Sequence, residues 1–537
     1  MIAAEGSSYT QASPALLDAS LWNRGDARSY SSLCSSLQAG KPVQLMAIGS
    51  SITGAHGGCS TGLSPHCPDH CGGECYTRAR AGDGWLRLFA DWLGQRWPVS
   101  RGTGGTARQH AAYNGGKGTT HIFHFATCLE SYLPDSPVHL YVLELTIYRE
   151  CAAAFEGDLE HLIRKILSRR PTPAIILLRG GQVMSYLKNR TSMYRRVNCT
   201  VSLVQRLAAH YGLLYIEVRG AWFRSREYHV AFADHENSGS EMQLDTEVER
   251  LGLSPRSVLS DRMHPSSQGK KLLADLLSHA VLRTCAQWPS RRDHARLQLP
   301  SLLAAHSRFE TTHACLGFTS PVNRSSLIRT GRLAGRTQEI IDAGNTIVGG
   351  LLPPANVSAT GFDYILSGGH KLKPGLVASR AGSAANVSID ARPRHRSQNE
   401  SILGQPFVDI HYLRSYEHMG VAELACYGGC ACGTARLQGH WTRRTSEDVR
   451  HRLALNIPQT PSKTTPAVGG NRLDGSTGAA ELVPPCLLSV RVLNESSSGE
   501  HKFKLTGVTI GEELCNNMCR MQRKRGGSDV STYRRNR

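Results

Sequence analysis

Two segments far apart in the chain carry the side-chain types that acyl transfer needs. Gly49-Ser50-Ser51-Ile52-Thr53 is a run of small residues able to present a serine hydroxyl on a tight turn. Asp261-Arg262-Met263-His264-Pro265 sets a carboxylate three residues before a histidine. On one tight loop such a carboxylate accepts the imidazole Nδ1 hydrogen, which fixes the tautomer and turns Nε2 toward a nucleophile. Catalytic groups of this kind collect at the carboxyl ends of strands in an open parallel sheet, so the elements before and after both segments decide whether they can meet.

Those elements are legible. A buried strand is expected over Val43 to Ile48, directly before the serine turn. Trp85, Leu88, Phe89, Trp92 and Leu93 recur at helical spacing until Pro98 stops the helix, and their apolar face reads as core rather than a ligand platform. Further strands are expected over 140–145, 174–178 and 213–218, with helical faces over 155–166 and 197–211 between them and a last helix over 270–277. Alternating strand and helix implies a parallel sheet with right-handed crossovers and both faces covered. Beyond residue 288 the periodicity fades and Gly, Ser and Pro become frequent, which fits a β-rich module with long loops. Its clearer strands fall over 407–413, 486–493 and 502–510, and 458–475 reads as a loop. The expected organisation is an arm, mobile or at a sheet edge, over 1–40, an α/β domain over 41–288 and a loop-rich connecting region over 289–400. A β-rich accessory domain over 401–515 and a basic tail over 516–537 follow.

Gly-x-Ser after the first strand, together with Asp261-x-x-His264-Pro265-Ser266-x-x-Gly269 before the last helix, resembles the SGNH, or GDSL-type, hydrolases over about residues 43 to 280. The resemblance implies a three-layer α/β/α, flavodoxin-like domain, with Ser51 as nucleophile, His264 as general base and Asp261 as its orienter. It also implies an oxyanion hole completed by a glycine and an asparagine. Asn114-Gly115-Gly116-Lys117-Gly118-Thr119 resembles the glycine block and makes Gly116 the expected backbone donor, with Gly115 next. The asparagine block departs: Leu143-Glu144-Leu145-Thr146-Ile147-Tyr148-Arg149-Glu150 places Tyr148 where the asparagine should stand, and Ser50 replaces the usual aspartate. Losing one oxyanion donor costs about 10² to 10³ in kcat, so the rival expectation is a catalytically impaired hydrolase fold acting as a secreted glycan-binding or structural protein. The second half, from Tyr412 through Cys426, Cys430 and Cys432 to Cys486 and the 499–505 stretch, resembles the Cys-rich β module attached to GDSL-like proteins of green algae and plants.

Composition bounds the remaining choices. With 40% apolar and 20% charged residues the chain is globular on average, and no apolar run is long enough to cross a membrane as a helix. A net charge of +19 attracts polyanions generally, but no finger spacing, RNA-binding aromatic signature or basic heptad points to specific nucleic acid recognition. The densest basic run lies after residue 519, where seven Lys and Arg face only Asp529. Sixteen cysteines fit disulfides, structural zinc or free thiols, and the cluster Cys59, Cys67, Cys71 and Cys75 beside the serine turn stays open among them. Sequons at Asn189, Asn198, Asn323, Asn356, Asn386, Asn399 and Asn494 favour disulfides and the secretory route, although no signal peptide is visible at the start of the chain. The expected reaction is hydrolysis of an ester, a carboxylic ester or a glycan O-acyl group, without metal or organic cofactor. The expected partner is the ester substrate itself, including an acylated polysaccharide.

Overall fold

The computed structural model describes residues 9–53, 84–100, 110–116, 120–129, 132–134, 136–146, 153–180, 191–223, 246–259, 264–286, 299–303, 309–317, 330–331, 338–341, 357–365, 375–391, 404–442, 446–457 and 485–514. They divide into two compact units, one within Met1–Ser307 and Val322–Thr346, the other within Arg308–Pro321 and Ile347–Arg537.

The first unit opens with α1 (Pro14–Ala19), β1 (Leu21–Arg24) and α2 (Ser31–Gln38), followed by the central strand β2 (Gln44–Gly49). Then come α3 (Trp85–Arg96), β3 (His110–Gly116), α4 (Ile122–Cys128), β4 (Leu140–Glu144), α5 (Ala153–Leu167), β5 (Ala174–Arg179), α6 (Thr191–Tyr211), β6 (Leu214–Glu217) and the long α7 (Ser267–Ala286). Two short late strands, β8 (Thr330–Gly331) and β9 (Gln338–Ile341), complete the sheet in the order β1-β6-β5-β4-β2-β3-β9-β8. All neighbours from β6 to β9 run parallel, and only the outermost strands, β1 and β8, are antiparallel. β4 and β5 are buried at every position, as expected of strands with helices over both faces. Trp85, Phe89 and Trp92 lie inside the core with Leu45, Val142, Ile176, Leu273 and Leu277. Each expected strand and helix of the α/β region is present, and the architecture is an α/β sheet of flavodoxin-like strand order.

Two readings are made more specific. Residues 9–40 pack with the sheet: β1 pairs with β6, and the buried Tyr30 hydroxyl donates to the Ile175 carbonyl while accepting from the Leu214 amide. A disulfide joins Cys34 of α2 to Cys285 of α7, and Asp275 of α7 accepts from the Tyr9 and Thr10 amides. This segment is therefore the edge alternative, held by these bonds and by Leu16, Leu33 and Leu37 in the core. Order also reaches into the stretch expected to be a loop-rich connector. β7 (Phe309–Gly317), β10 (Val357–Thr360), β11 (Phe362–Ile365), β12 (Gly375–Ala378) and β13 (Ala384–Ile389) belong to the second unit, while β8 and β9 belong to the first. Most of these strands are only two to six residues long, too short for an alternating pattern to stand out.

The second unit adds β14 (Gly404–Arg414), β15 (Val421–Gly428), β16 (Ala435–Gln438), β17 (Glu447–Ala454), β18 (Cys486–Val492) and β19 (Phe503–Leu514). They form two antiparallel sheets, β10-β13-β18-β15-β16 and β11-β12-β19-β14-β17, with β7 also paired to β19. Both sheets feed one core, in which Val408 and Ile410 of β14 join Leu488 and Val490 of β18 and Leu505 of β19. Disulfides Cys426–Cys432 and Cys430–Cys486 settle the chemistry of that cysteine cluster. Cys128, Cys199 and Cys315 are disulfide-bonded as well. The 458–475 loop, the 516–537 tail and the cluster at Cys59, Cys67, Cys71 and Cys75 lie outside the described residues.

Candidate active site

The chain reverses its direction of travel across the sheet between β2 and β4. From β2 it steps one way to β3, then crosses back to β4 and continues to β5 and β6. In a doubly wound sheet a crevice opens at the carboxyl ends of the two strands flanking such a reversal, and ligands bind there. The serine turn leaves β2 at this point. Ser50, Ile52 and Thr53 are buried and Ser51 is half-buried.

The partner comes from the other end of the unit. Ser51 Oγ lies 2.8 Å from His264 Nε2 across 213 residues of sequence. His264 is 7% exposed, so the pair meets at the edge of the core. The loop that delivers His264 is pinched shut. Leu259 and Pro265 form an antiparallel bridge, the Ser266 amide donates to the Val258 carbonyl, and Ser266 Oγ donates to the Ser257 carbonyl. The same Oγ accepts from the Gly269 amide at 3.2 Å, capping the first turn of α7. Gly269 has to lack a side chain: a Cβ there would collide with the Val258 carbonyl oxygen and stand 3.0 Å from Pro265 Cβ. The Pro-Ser-x-x-Gly spacing thus locks the helix start to the chain segment before the histidine.

Beneath the serine turn sits a carboxylate to which the sequence reading gave no role. Glu144, at the end of β4, is fully buried. Its Oε2 accepts from the Ser50 amide at 3.0 Å, from Ser50 Oγ at 2.7 Å and from Thr53 Oγ1 at 3.2 Å, while Oε1 accepts from the Thr146 amide at 2.7 Å. Thr146 Oγ1 in turn accepts from the Gly180 amide just past β5. A charge-capable residue ending a buried strand was the available signal, but three of its four donors, on Ser50 and Thr53, lie more than ninety residues away in sequence.

The other expected residues are distributed unevenly. Gly116 ends β3 beside Gly49, and its amide donates to Asn114 Oδ1 at 2.9 Å, so in this structure it is not directed at an oxyanion. Asp261 and Tyr148 lie outside the described residues, as do Asn189, Asn323, Asn356 and Asn399. Asn494 is exposed after β18, Asn386 is half-buried on β13, and Asn198 falls within α6. Further along the same sheet edge, Glu217 is buried with Arg219 at 2.8 Å and Arg179 at 3.5 Å. Burial pushes its carboxyl up, but the two guanidiniums outweigh this and hold it below the usual carboxylate range.

The full architecture has a counterpart among solved structures. A two-domain esterase (CEX) active on acetylated mannans, also crystallised with mannopentaose, matches over 93% of this chain and 99% of its own, at a TM-score of 0.52 and 14% identity. The fold is esterase-like. An inhibitor-bound aryl esterase of M. smegmatis matches 36% of the chain at 12% identity and a TM-score of 0.21. A CBM35 from Paenibacillus barcinonensis matches 29% at 12% identity and a TM-score of 0.15. No protein-family profile and no curated protein matches the chain. In the esterase-like fold of this chain, the Ser51 hydroxyl and the His264 imidazole stand together at the reversal of the sheet.

Proposed function

We propose that the chain is an SGNH-type serine ester hydrolase of the secretory route, acting on O-acyl groups of a polysaccharide. The observation that carries this reading is the 2.8 Å approach of Ser51 Oγ to His264 Nε2 at the sheet reversal. Ser51 attacks the acyl carbonyl as His264 Nε2 takes its proton, and Asp261 orients the imidazole. His264 then returns the proton to the departing sugar hydroxyl, leaving an acyl group on Ser51. Water, deprotonated by the same imidazole, releases the acid and restores the serine. Backbone amides beside Ser51 hold the oxyanion. Gly116 joins them when its amide turns from Asn114, and the Tyr148 hydroxyl stands in for the absent asparagine. The glycan preference is supported by the two-domain neighbour active on acetylated mannans. The disulfides among the described residues agree with an oxidising compartment.

The test is hydrolysis of a short activated acyl ester, and acetate release from acetylated mannan, by purified oxidised protein beside Ser51→Ala, with a fluorophosphonate label. Turnover and labelling that both disappear in Ser51→Ala support the reading. A folded wild-type protein that neither turns over nor labels sinks it, and binding to mannan in that state would favour the non-catalytic glycan-binding alternative.

A further inference from the structure

We infer that Glu144 is a positioning residue that holds the serine turn against His264, an inference that rests on the serine-hydrolase reading of the same site. The geometry is unusual for a buried carboxylate. Its partners among the described residues are neutral donors, two backbone amides and two hydroxyls, and three of the four belong to the turn that carries Ser51. An unpaired buried carboxylate is costly, so four donors aimed at one group mark a site where both charge and position matter.

The bonds also have a direction. The Ile52 amide donates to Ser50 Oγ at 3.3 Å, and Ser50 Oγ donates to Glu144 Oε2. With the Ser50 amide and Thr53 Oγ1 on the same oxygen, Oε2 holds the residues on both sides of Ser51 while leaving the Ser51 side chain to His264. The second oxygen ties this arrangement to the start of the β4 loop, and through Thr146 to Gly180 beyond β5. The carboxyl ends of three adjacent strands are thus laced by one polar seam. Independent support comes from Gly49, where a Cβ would stand 2.7 Å from Glu144 Cβ and 2.8 Å from Oε2. The glycine before the turn is what lets the carboxylate come this close.

Glutamine tests charge and acceptor number at constant shape. It offers one acceptor oxygen, and its amide nitrogen would face either the Ser50 group or the Thr146 amide, donor against donor. In Glu144→Gln the fluorophosphonate labelling rate and kcat on p-nitrophenyl acetate should fall about 10- to 100-fold, as a misplaced nucleophile predicts, with KM within about twofold. The ¹⁵N signal of His264 Nε2 supplies a readout independent of turnover. It should move from the wild-type position toward that of Ser51→Ala. A folded Glu144→Gln protein with wild-type labelling and an unmoved His264 signal overturns the inference. Should that variant fail to fold, Ser50→Ala and Thr53→Val, which leave the two amide bonds in place, decide the matter: unchanged labelling and an unchanged His264 signal in both overturn it. If the wild type itself neither labels nor turns over, the hydrolase reading fails, and the His264 signal alone decides whether Glu144 positions Ser51.

Discussion

His110 and His139 show how single side chains set the working range of the sheet domain. His110 Nδ1 accepts from the Val43 amide and Nε2 faces the Trp97 carbonyl, while His139 Nδ1 accepts from the Gln44 amide. Both rings must stay neutral, because a protonated Nδ1 would point a hydrogen at an amide hydrogen. Burial holds both below the ordinary value of 6.5, and His110 lowers His139 further. Between 6.5 and those lowered values the unfolded chain binds protons that the folded one refuses, so stability is full above about pH 6.5 and falls as the pH drops below it. Urea midpoints at pH 7.5 and 5.5 should show that loss, and His110→Gln with His139→Gln should flatten it. On the proposed hydrolase reading, Tyr148→Asn should raise ester turnover without shifting the thermal midpoint. An unchanged rate would remove Tyr148 from the oxyanion account.

Among elements, α7 carries the most consequence, since it begins just after His264 and ends at a disulfide. Gly269→Ala drives a methyl into the Val258 carbonyl, so the helix start and His264 must move together. It should cost about 1–3 kcal/mol of stability by overpacking and lower kcat more than KM, measured by denaturation and steady-state kinetics on one preparation. Sequence made this element readable because its motif is local: Asp261, His264, Pro265, Ser266 and Gly269 lie within nine residues of one another. β3 was not read as a strand for the opposite reason. His110-Ala-Ala-Tyr-Asn-Gly-Gly has no apolar run, and it is accepted beside the central strand because small residues fit there, Gly115 lying under Met46 and Tyr132. Glu144 escaped as well, because most of its partners come from a turn more than ninety residues earlier, which leaves no spacing to count. The alternation of β18 and β19 was legible, whereas the outer β10, with three of its four residues exposed, had little pattern to show.

For the whole molecule, covalent ties matter as much as packing. The Cys34–Cys285 bond spans 251 residues and closes the first unit from its early helix to its last. Replacing both cysteines by serine should cost about 2–5 kcal/mol, seen as a lower urea midpoint under non-reducing conditions, where the other disulfides stay closed. The division into units is not a single cut in the chain either. β7 enters the second unit, β8 and β9 return to the first, and the rest belongs to the second. A fragment ending at residue 303 therefore loses β8 and β9 and uncovers the edge of β3, so it should be less soluble and melt lower than one ending at residue 346.

The pairing of Phe309 with Leu514 across β7 and β19 has a further consequence, one of timing. A ribosome adding about 5–20 residues per second needs roughly 10 to 40 seconds to travel between those two positions. Throughout that interval β7 has been made and its partner has not, while β8 and β9 can already close the first sheet. The nascent chain thus carries an unanswered strand edge during its own synthesis, and the cell compartment that receives it has to shield that edge until the last strand arrives.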